Sequence, residues 1–307
     1  MANSARTESN RRTKVSICIP AFQAERHLQT TIDSVLAQDD AGLDLEIVIV
    51  DNNSSDGTRR ILEKLDDDRV RVIRNETTLP MVDNFNHAIR QSRGEFVKLV
   101  CADDTLEPDC IAAQCAVLAD NPDVALVAVR TDFIDDAGKL LRRARGVARI
   151  AGRHSAQRVV KEIVRSGSNP IGAPVVAMFR RTDFDRCGGF FGDLPFVMEM
   201  DLWTRLLRGG DFVGIPRVLA AFRITSGTTT ALMPTRSQLF QQIEIARRLS
   251  DDTRWQITLT DRIVGRVRCY DMALRRNLLY LISAMRASWR GRRAADGCAA
   301  TIEVVPR

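Results

Sequence analysis

Three kinds of sequence feature are missing from this 307-residue chain. No two cysteines stand in a CxxC pair, no run of about 18 apolar residues occurs, and nothing matches GxGxxG or GxxxxGK[ST]. These absences argue against a zinc cluster, a membrane-spanning helix and a glycine-rich phosphate cradle. The seven cysteines are odd in number and lie mostly in apolar stretches, which indicates reduced thiols in a cytoplasmic protein rather than a disulfide framework.

Neither charge sign is in large excess. Lys and Arg number 45 against 39 Asp and Glu, a formal net charge of +6, so the balance does not by itself imply nucleic acid, and we expect no nucleic-acid partner. The length allows one large α/β domain or two small ones. Residues 1–13 are polar and lack the apolar stretch of a signal peptide, so they predict a disordered tail.

Short apolar runs alternate with helical patterns in the first third of the chain. The predicted strands are Val15–Ile19, Leu45–Val50, Val70–Ile73 and Phe96–Val100. Continuous apolar runs of this length are typical of strands buried on both faces of a parallel sheet, so we predict an open, doubly wound α/β fold. Pro20 is expected to end the first strand, and 139–149 to form a basic linker. A strand at 175–179 is expected to lead into a loop that ends at 188–192, and the chain from about Ser237 is expected to be helical.

Polar residues follow three of these strands, at 20–25, at Asp51-Asn52 and at Asp103-Asp104. In open α/β sheets, ligands bind beyond the carboxyl ends of the strands. Asp103 and Asp104 are suited to hold Mg²⁺ or Mn²⁺ against a diphosphate, and an oxygen of Asp51 or Asn52 is suited to accept the N3–H of a pyrimidine. Both pairs can equally be turns that cap the next helix, and the sequence alone leaves these alternatives open.

Glu199 is a carboxylate within an otherwise apolar stretch just before a predicted helix. Apolar surroundings raise the pKa of a carboxyl, which suits a general base. The competing interpretation is a helix-capping or surface glutamate. The three histidines, at 27, 87 and 154, are interpreted as ordinary helix or loop residues rather than metal ligands.

Taken together and in order, these motifs are far more specific than any one of them. The matching segments are 15–22, 34–38, 46–58, 86–89, 93–97, 102–104, 179–181, 188–190, 199–206 and 222–223. This set resembles the family 2 glycosyltransferases, inverting enzymes of the GT-A fold that use nucleotide-sugar donors. The resemblance covers about two-thirds of the chain, from about Val15 to Arg223.

The resemblance implies a role for each matching residue. It assigns the nucleotide-sugar donor to Pro20, Phe22, Glu25, Asp51, Asn52 and Asp103, and the divalent metal to Asp103 and Asp104. Glu199 matches the catalytic base, and the acceptor side corresponds to Asn169, Gly172, Asp201 and Trp203. The implied reaction moves a sugar, from UDP or dTDP in the first instance, to a hydroxyl of a glycan or lipid-linked acceptor in cell-surface polysaccharide synthesis.

The chain departs from the family pattern at three positions. Cys101 stands where many relatives have the first Asp of a DxD motif, Asn52 replaces a frequent second Asp, and Thr225 stands where a His often follows. These departures keep an alternative open, a catalytically impaired nucleotide-sugar-binding or scaffold protein of the same fold. The expected organisation is a glycosyltransferase domain over 14–235, with a nucleotide-sugar-binding half at 14–110 and an acceptor half at 111–235. A helical basic segment follows at 236–307.

The C-terminal segment concentrates positive charge. Residues 262–293 contain nine Arg and one Asp, and apolar residues recur at 3/4 spacing from Ile263 to Trp289. One interpretation packs this stripe on the catalytic domain with the arginines in solvent. The other is a basic amphipathic helix in contact with an anionic membrane, which would make the protein cytoplasmic and peripheral on the inner face of the plasma membrane.

Overall fold

The structure, a computed structural model, describes residues 14–39, 42–225 and 233–274. Its centre is a mixed sheet in the order β3-β2-β1-β4-β9-β6-β10-β5, with β7 paired to β6 and β8 to β10. The strands are β1 (Lys14–Ala21), β2 (Asp44–Asp51), β3 (Val70–Arg74), β4 (Phe96–Leu99), β5 (Thr105–Leu106), β6 (Val124–Ile134), β7 (Leu140–Arg145), β8 (Gly152–His154), β9 (Ala177–Arg180) and β10 (Asp211–Arg223).

Helices cover the sheet and extend the chain beyond it. They are α1 (Leu28–Leu36), α2 (Thr58–Leu62), α3 (Met81–Gln91), α4 (Cys110–Asp120), α5 (Ala156–Ser166), α6 (Arg181–Cys187), α7 (Met198–Leu206), α8 (Thr235–Asp251) and α9, which is described over 259–274. No helix in the described part of the chain combines the length and hydrophobicity needed to cross a bilayer.

The first half of the sheet is parallel because its strands are apolar on both faces. β3, β2, β1 and β4 run in the same direction, and Val15, Ile17 and Ile19 of β1 are fully buried. β9 is antiparallel to both neighbours, whereas β6 and β10 are parallel to each other. This arrangement confirms the predicted doubly wound, mainly parallel sheet followed by helices.

Three local predictions are wrong. Pro20 does not end β1, which continues to Ala21. The proline lies beyond Cys18, the last residue of β1 paired with β4, so its missing N–H falls where one neighbouring strand has already ended. The expected basic linker at 139–149 contains β7, which forms a hairpin with β6 through a turn at 135–138. The loop expected before residue 188 contains α6.

α9 packs against α5 through small side chains. Gly265 lies so close to α5 that an added Cβ would stand 2.1 Å from the carbonyl oxygen of Val164. Asp261 is buried and pairs with Arg165 at 2.5 Å, and Thr258 and Asp261 form a reciprocal capping box at the start of α9.

The large apolar residues of α9 point the other way. Ile263, Val267 and Leu274 are 57%, 63% and 70% exposed. The interpretation that packs this stripe on the catalytic domain is therefore wrong for the described part of the helix. The continuation of the stripe to Trp289, the predicted tail at 1–13 and the helices expected over 275–307 lie outside the described residues.

Candidate active site

The candidate site lies at the carboxyl ends of β1, β2 and β4. β2 and β3 follow on one side of β1, and β4 lies on the other side, so the strand order reverses between β1 and β4. Such a reversal opens a crevice at the ends of the two strands. The structure brings to this edge the three polar groups predicted from the sequence, because β1 ends at Ala21, β2 at Asp51 and β4 at Leu99.

The loop after β1 is hydrogen-bonded to the loop after β2. Gln23, whose φ of +49° is uncommon for a side chain of this kind, accepts the N–H groups of Ser55 and Asp56 at 3.0 and 3.2 Å. Glu25 Oε2 accepts the N–H of Gly57 at 2.6 Å, and a Cβ at Gly57 would stand 2.5 Å from that oxygen. Nothing in the sequence singles out Gln23 beyond its place in the loop.

Asp51 is almost completely buried at the end of β2. Its carboxylate pairs with Arg74 and accepts the N–H of Ser54 at 3.0 Å. Arg74 is the last residue of β3, and sequence reasoning did not single it out. Phe22, by contrast, is 50% exposed beside this edge, so its ring is accessible to a ligand.

Asn52 holds a neighbouring loop in place. Its Oδ1 accepts the N–H of Leu79 and the Nδ2–H of Asn75, both at 2.8 Å, and its Nδ2 donates to the carbonyl of Leu79 at 2.9 Å. The carboxamide is therefore used on residues 75–79 in this structure. Its contact with a nucleotide base stays a prediction, and it requires these bonds to be exchanged for bonds to the base.

Three carboxylates contribute to the raised pKa of the same side chain, Cys101. Burial and the negative charges of Asp104, Asp103 and Glu199 together raise the pKa of the Cys101 thiol well above its ordinary value. Glu199 lies in the first turn of α7, and Asp103 and Asp104 follow β4. The fold thus brings the predicted base to the predicted metal motif, although about 95 positions separate them in the chain.

The surroundings of Glu199 alter its acidity as the sequence predicts. Burial raises the pKa of its carboxyl from 4.5 to about 7, and no side-chain hydrogen bond to another described residue stabilises its ionised form. A carboxyl of this pKa is divided between its two protonation states near neutral pH. It can therefore accept a proton there and also release it.

Asp104 has one carboxylate oxygen with no partner. Oδ1 accepts the backbone N–H of Arg223 at 3.0 Å, whereas Oδ2 is buried and has no hydrogen-bond partner among the described residues. Burial and the charge of Asp103 raise the pKa of Asp104 well above its ordinary value. A nearby cation would reverse that effect.

These two carboxylates fit a divalent cation that shares its coordination with a ligand. In the described part of the chain, no group of three His, Cys, Asp or Glu side chains could hold a metal. Mg²⁺ commonly takes one or two carboxylates and completes its shell with water and phosphate oxygens. Asp103 and the unpartnered Oδ2 of Asp104 offer such an incomplete set.

Arg223 fixes the acidic pair from the end of β10. Its guanidinium donates from Nε to the carbonyl of Asp103 at 2.9 Å and from Nη1 to the carbonyl of Asp135 at 2.8 Å. With its backbone N–H on Asp104, this buried arginine joins the acidic pair to the tip of the β6–β7 hairpin. The sequence carried Arg223 only as part of the family resemblance, without a role.

The hairpin tip is also attached to the start of α1. Asp136 pairs with Arg26, and its Oδ1 lies 3.0 Å from Nε2 of His27. Burial raises the pKa of Asp103, and the charges of His27 and Arg223 oppose that rise. His27 is therefore part of the surroundings of the site, a position that its sequence context did not indicate.

The residues predicted on the acceptor side form a supporting network. Asn169 and Gly172 bond to each other at 2.9 and 3.0 Å, and the indole N–H of Trp203 donates to the carbonyl of Gly172 at 3.1 Å. Trp203 has no exposed surface, so in this structure it acts by holding the 169–172 loop. Asp201 pairs with Arg205 at 2.7 Å.

Comparison with known proteins identifies the family. The model of "Glycosyl transferase family 2" matches residues 16–188, more than half of the chain. The chain belongs to glycosyl transferase family 2. The matched range contains β1, the Asp51-Asn52 pair and the Asp103-Asp104 pair, and it ends before Glu199 and Arg223.

A characterised relative agrees with this assignment. The "GalNAc(5)-diNAcBac-PP-undecaprenol beta-1,3-glucosyltransferase" of Campylobacter jejuni is 36% identical over 96 residues, which are 30% of this chain and 30% of that protein. The match thus spans about a third of that relative's length.

Two solved structures share the fold at low sequence identity. Staphylococcus aureus TarS 1-349 in complex with UDP-GlcNAc superposes with a TM-score of 0.59 at 16% identity, covering 78% of this chain and 67% of TarS 1-349. The mannosyltransferase PcManGT from Pyrobaculum calidifontis, in complex with GDP-Man and Mn²⁺, gives 0.60 at 20% identity, covering 95% and 81%.

Proposed function

We propose that this family 2 glycosyltransferase moves a sugar from a nucleotide-diphosphate donor, UDP- or dTDP-linked in the first instance, to a hydroxyl of a glycan or lipid-linked acceptor. One observation carries the proposal. Asp103, Asp104 and Glu199 converge on Cys101 at the point where the strand order reverses. The Campylobacter relative, a glucosyltransferase that acts on an undecaprenol-linked glycan, supports an acceptor of this class and a role in cell-surface polysaccharide synthesis.

In this proposal Glu199 is the general base. Its carboxylate takes the proton from the acceptor hydroxyl as the hydroxyl oxygen attacks the anomeric carbon and the bond to the diphosphate breaks. Attack from the face opposite the leaving group inverts the anomeric configuration, and no covalent bond to the enzyme forms. The pKa of about 7 suits this role, because much of Glu199 is ionised at neutral pH and the base is still strong enough to hold a proton.

Asp103 and Asp104 would hold a divalent cation, Mg²⁺ or Mn²⁺. When bound, the cation supplies positive charge that stabilises the leaving diphosphate. The unpartnered, buried Oδ2 of Asp104 supports this assignment. Mn²⁺ in the complex of the structural neighbour PcManGT is consistent with it. Arg223 would keep the pair oriented, because its backbone N–H binds the Asp104 carboxylate and its guanidinium binds the backbone carbonyl of Asp103.

The donor nucleoside would lie over the loops after β1 and β2. Phe22 offers an exposed ring, and the bond between Glu25 and Gly57 keeps the two loops together. In this proposal Pro20 shapes the first loop, and Asp51 and Asn52 would read the base once Asn52 exchanges its bonds to residues 75–79 for bonds to the base. The acceptor would lie near the loop that Asn169, Gly172 and Trp203 organise, with Asp201 at its border.

The proposed organisation follows this division of labour. A nucleotide-sugar-binding half at 14–110 and an acceptor half at 111–235 would share the sheet, with the helical segment from 236 added after them. The small strand β5 already crosses the boundary, because it belongs to the first half and pairs with β10 of the second. A lipid-linked acceptor would favour a cytoplasmic protein at the inner face of the plasma membrane.

Calorimetric titration tests the donor site first. UDP, dTDP and GDP are titrated with and without Mn²⁺ into wild type, Asp103→Ala and, as a control, Asp68→Ala at an exposed carboxylate outside the site. We expect UDP to bind in a Mn²⁺-dependent manner to wild type and the control, and Asp103→Ala to lose the metal-dependent part. No nucleotide binding by wild type would refute the donor site. Binding without transfer to any acceptor or to water would favour the impaired, nucleotide-sugar-binding alternative.

A further inference from the structure

α9 presents a continuous apolar stripe to solvent. The stripe consists of Leu259, Ile263, Val267, Tyr270 and Leu274, which are 73%, 57%, 63%, 51% and 70% exposed. Their spacings of four, four, three and four residues place them on one helix face, over about 22 Å at 1.5 Å per residue. Large apolar side chains grouped in this way on a surface mark an interaction site.

The opposite face of α9 already has its partner. Asp261, Gly265, Cys269 and Ala273 are buried, and α9 is anchored on α5 by the ion pairs of Asp261 with Lys161 and Arg165 and by the close approach of Gly265. Because small residues fill this contact, the helix can lie against the domain and still direct all five large residues outward. The stripe is therefore exposed while α9 is packed on the domain, and its exposure does not require the helix to have come away from the core.

The charges around the stripe select its partner. Arg266 is exposed and directly precedes Val267, so the helical periodicity puts it along one edge of the stripe. Arg262 lies on the same edge, but its guanidinium pairs with Asp251 and donates to the carbonyl of Ser250. The sequence that follows, 275–293, adds six Arg and no Asp or Glu. An apolar stripe bordered by arginines is complementary to an anionic lipid surface, whereas a second copy of the chain would oppose it with the same positive charge.

We propose that the outward stripe of α9 docks the enzyme on an anionic lipid surface. Ile263, Val267 and their stripe neighbours would enter the boundary between headgroups and acyl chains, and Arg266 would lie among the lipid phosphates. The inference deepens the proposed function, since it names the surface on which a lipid-linked acceptor would be met. Its test does not depend on catalysis.

Vesicle flotation of the full chain measures the docking. Wild type is mixed with phosphatidylcholine vesicles or with the same vesicles containing phosphatidylglycerol, and compared with Ile263→Glu and Val267→Glu. Leu141→Glu is the matched control, because Leu141 is 51% exposed on β7, outside α9. We expect binding only to the anionic vesicles, a loss of about tenfold or more for each stripe variant, and no change for the control. Arg266→Gln should weaken binding about fivefold.

Three results would overturn the proposal. One is equal vesicle binding by wild type and both stripe variants. Another is a wild type that ignores vesicles and is dimeric by light scattering while the stripe variants are monomeric, which would make a second copy the partner. The third is a monomeric wild type that binds neither vesicle, which would assign the stripe to residues 275–307 of the same chain. UDP titration of the same proteins separates these failures from a failure of the donor site.

Discussion

Replacing Glu199 by Gln should stabilise the protein at alkaline pH. The carboxyl has a pKa of about 7 when folded and an ordinary value of 4.5. Below pH 4.5 it is protonated in both states, and its raised pKa has no cost. As pH rises through 4.5 and on to 7, the unfolded chain ionises first, and the folded state loses the corresponding free energy.

The size of this effect follows from the two pKa values. Their difference corresponds to about 3 kcal/mol when ionisation is complete, of which about 1 kcal/mol is already present at pH 5 and nearly all at pH 8. A glutamine has no such titration. The free energy of unfolding of Glu199→Gln, relative to wild type, should therefore increase by about 2 kcal/mol between pH 5 and pH 8.

Urea unfolding at the two pH values measures this difference without any substrate. Metal and nucleotide are left out, and Glu76→Gln, which removes an exposed glutamate, serves as the control. A difference between Glu199→Gln and wild type that is the same at pH 5 and pH 8 would refute a half-buried carboxylate whose ionised form is destabilised by desolvation. The same variant should bind UDP as wild type does but lose transfer by about a hundredfold or more, if Glu199 is the base.

Two further substitutions test contacts that hold the site and its C-terminal support. Arg223→Lys keeps the charge, but a lysine cannot reach the carbonyls of Asp103 and Asp135 together. Mn²⁺-dependent UDP binding, measured by calorimetry, should therefore weaken about tenfold, and undiminished affinity would contradict the bridging role. Gly265→Ala places a Cβ 2.1 Å from a carbonyl oxygen of α5 and should lower the free energy of unfolding, measured in urea, by about 2 kcal/mol. Arg266→Ala, on the exposed side of α9, should not lower it, and equal stability of the two variants would argue against the close contact.

The parallel half of the fold was predictable because its physical cause is local. β1 and β2 are continuous apolar runs, and such runs indicate strands buried on both faces. The polar groups that follow them could then be placed at one edge from topology alone. β7 was not predicted, because the cause of its structure is not local. It is an exposed strand with three arginines in six residues, and its pairing with β6 is what makes it a strand.

The direction of the α9 stripe could not be predicted from periodicity. A helical pattern of large apolar residues normally faces the core, and here the core contact is made by Gly265, Cys269 and Ala273. Small residues carry little hydrophobic signal, although they allow the closest helix packing. The role of Arg223 was hidden in a similar way, because its partners lie about a hundred positions earlier in the chain.

The bridge made by Arg223 also has a consequence for biosynthesis. Asp103 leaves the ribosome 120 residues before the arginine that holds its carbonyl, and the hairpin tip at Asp135 emerges between them. The strands β1–β4 can pair early, but the acidic pair acquires its final orientation only when β10 is complete. A nascent or truncated chain that already carries the family segment 16–188 therefore lacks the arginine that orients its acidic pair. Under the proposed function, metal-dependent donor binding would therefore appear only when the domain is complete.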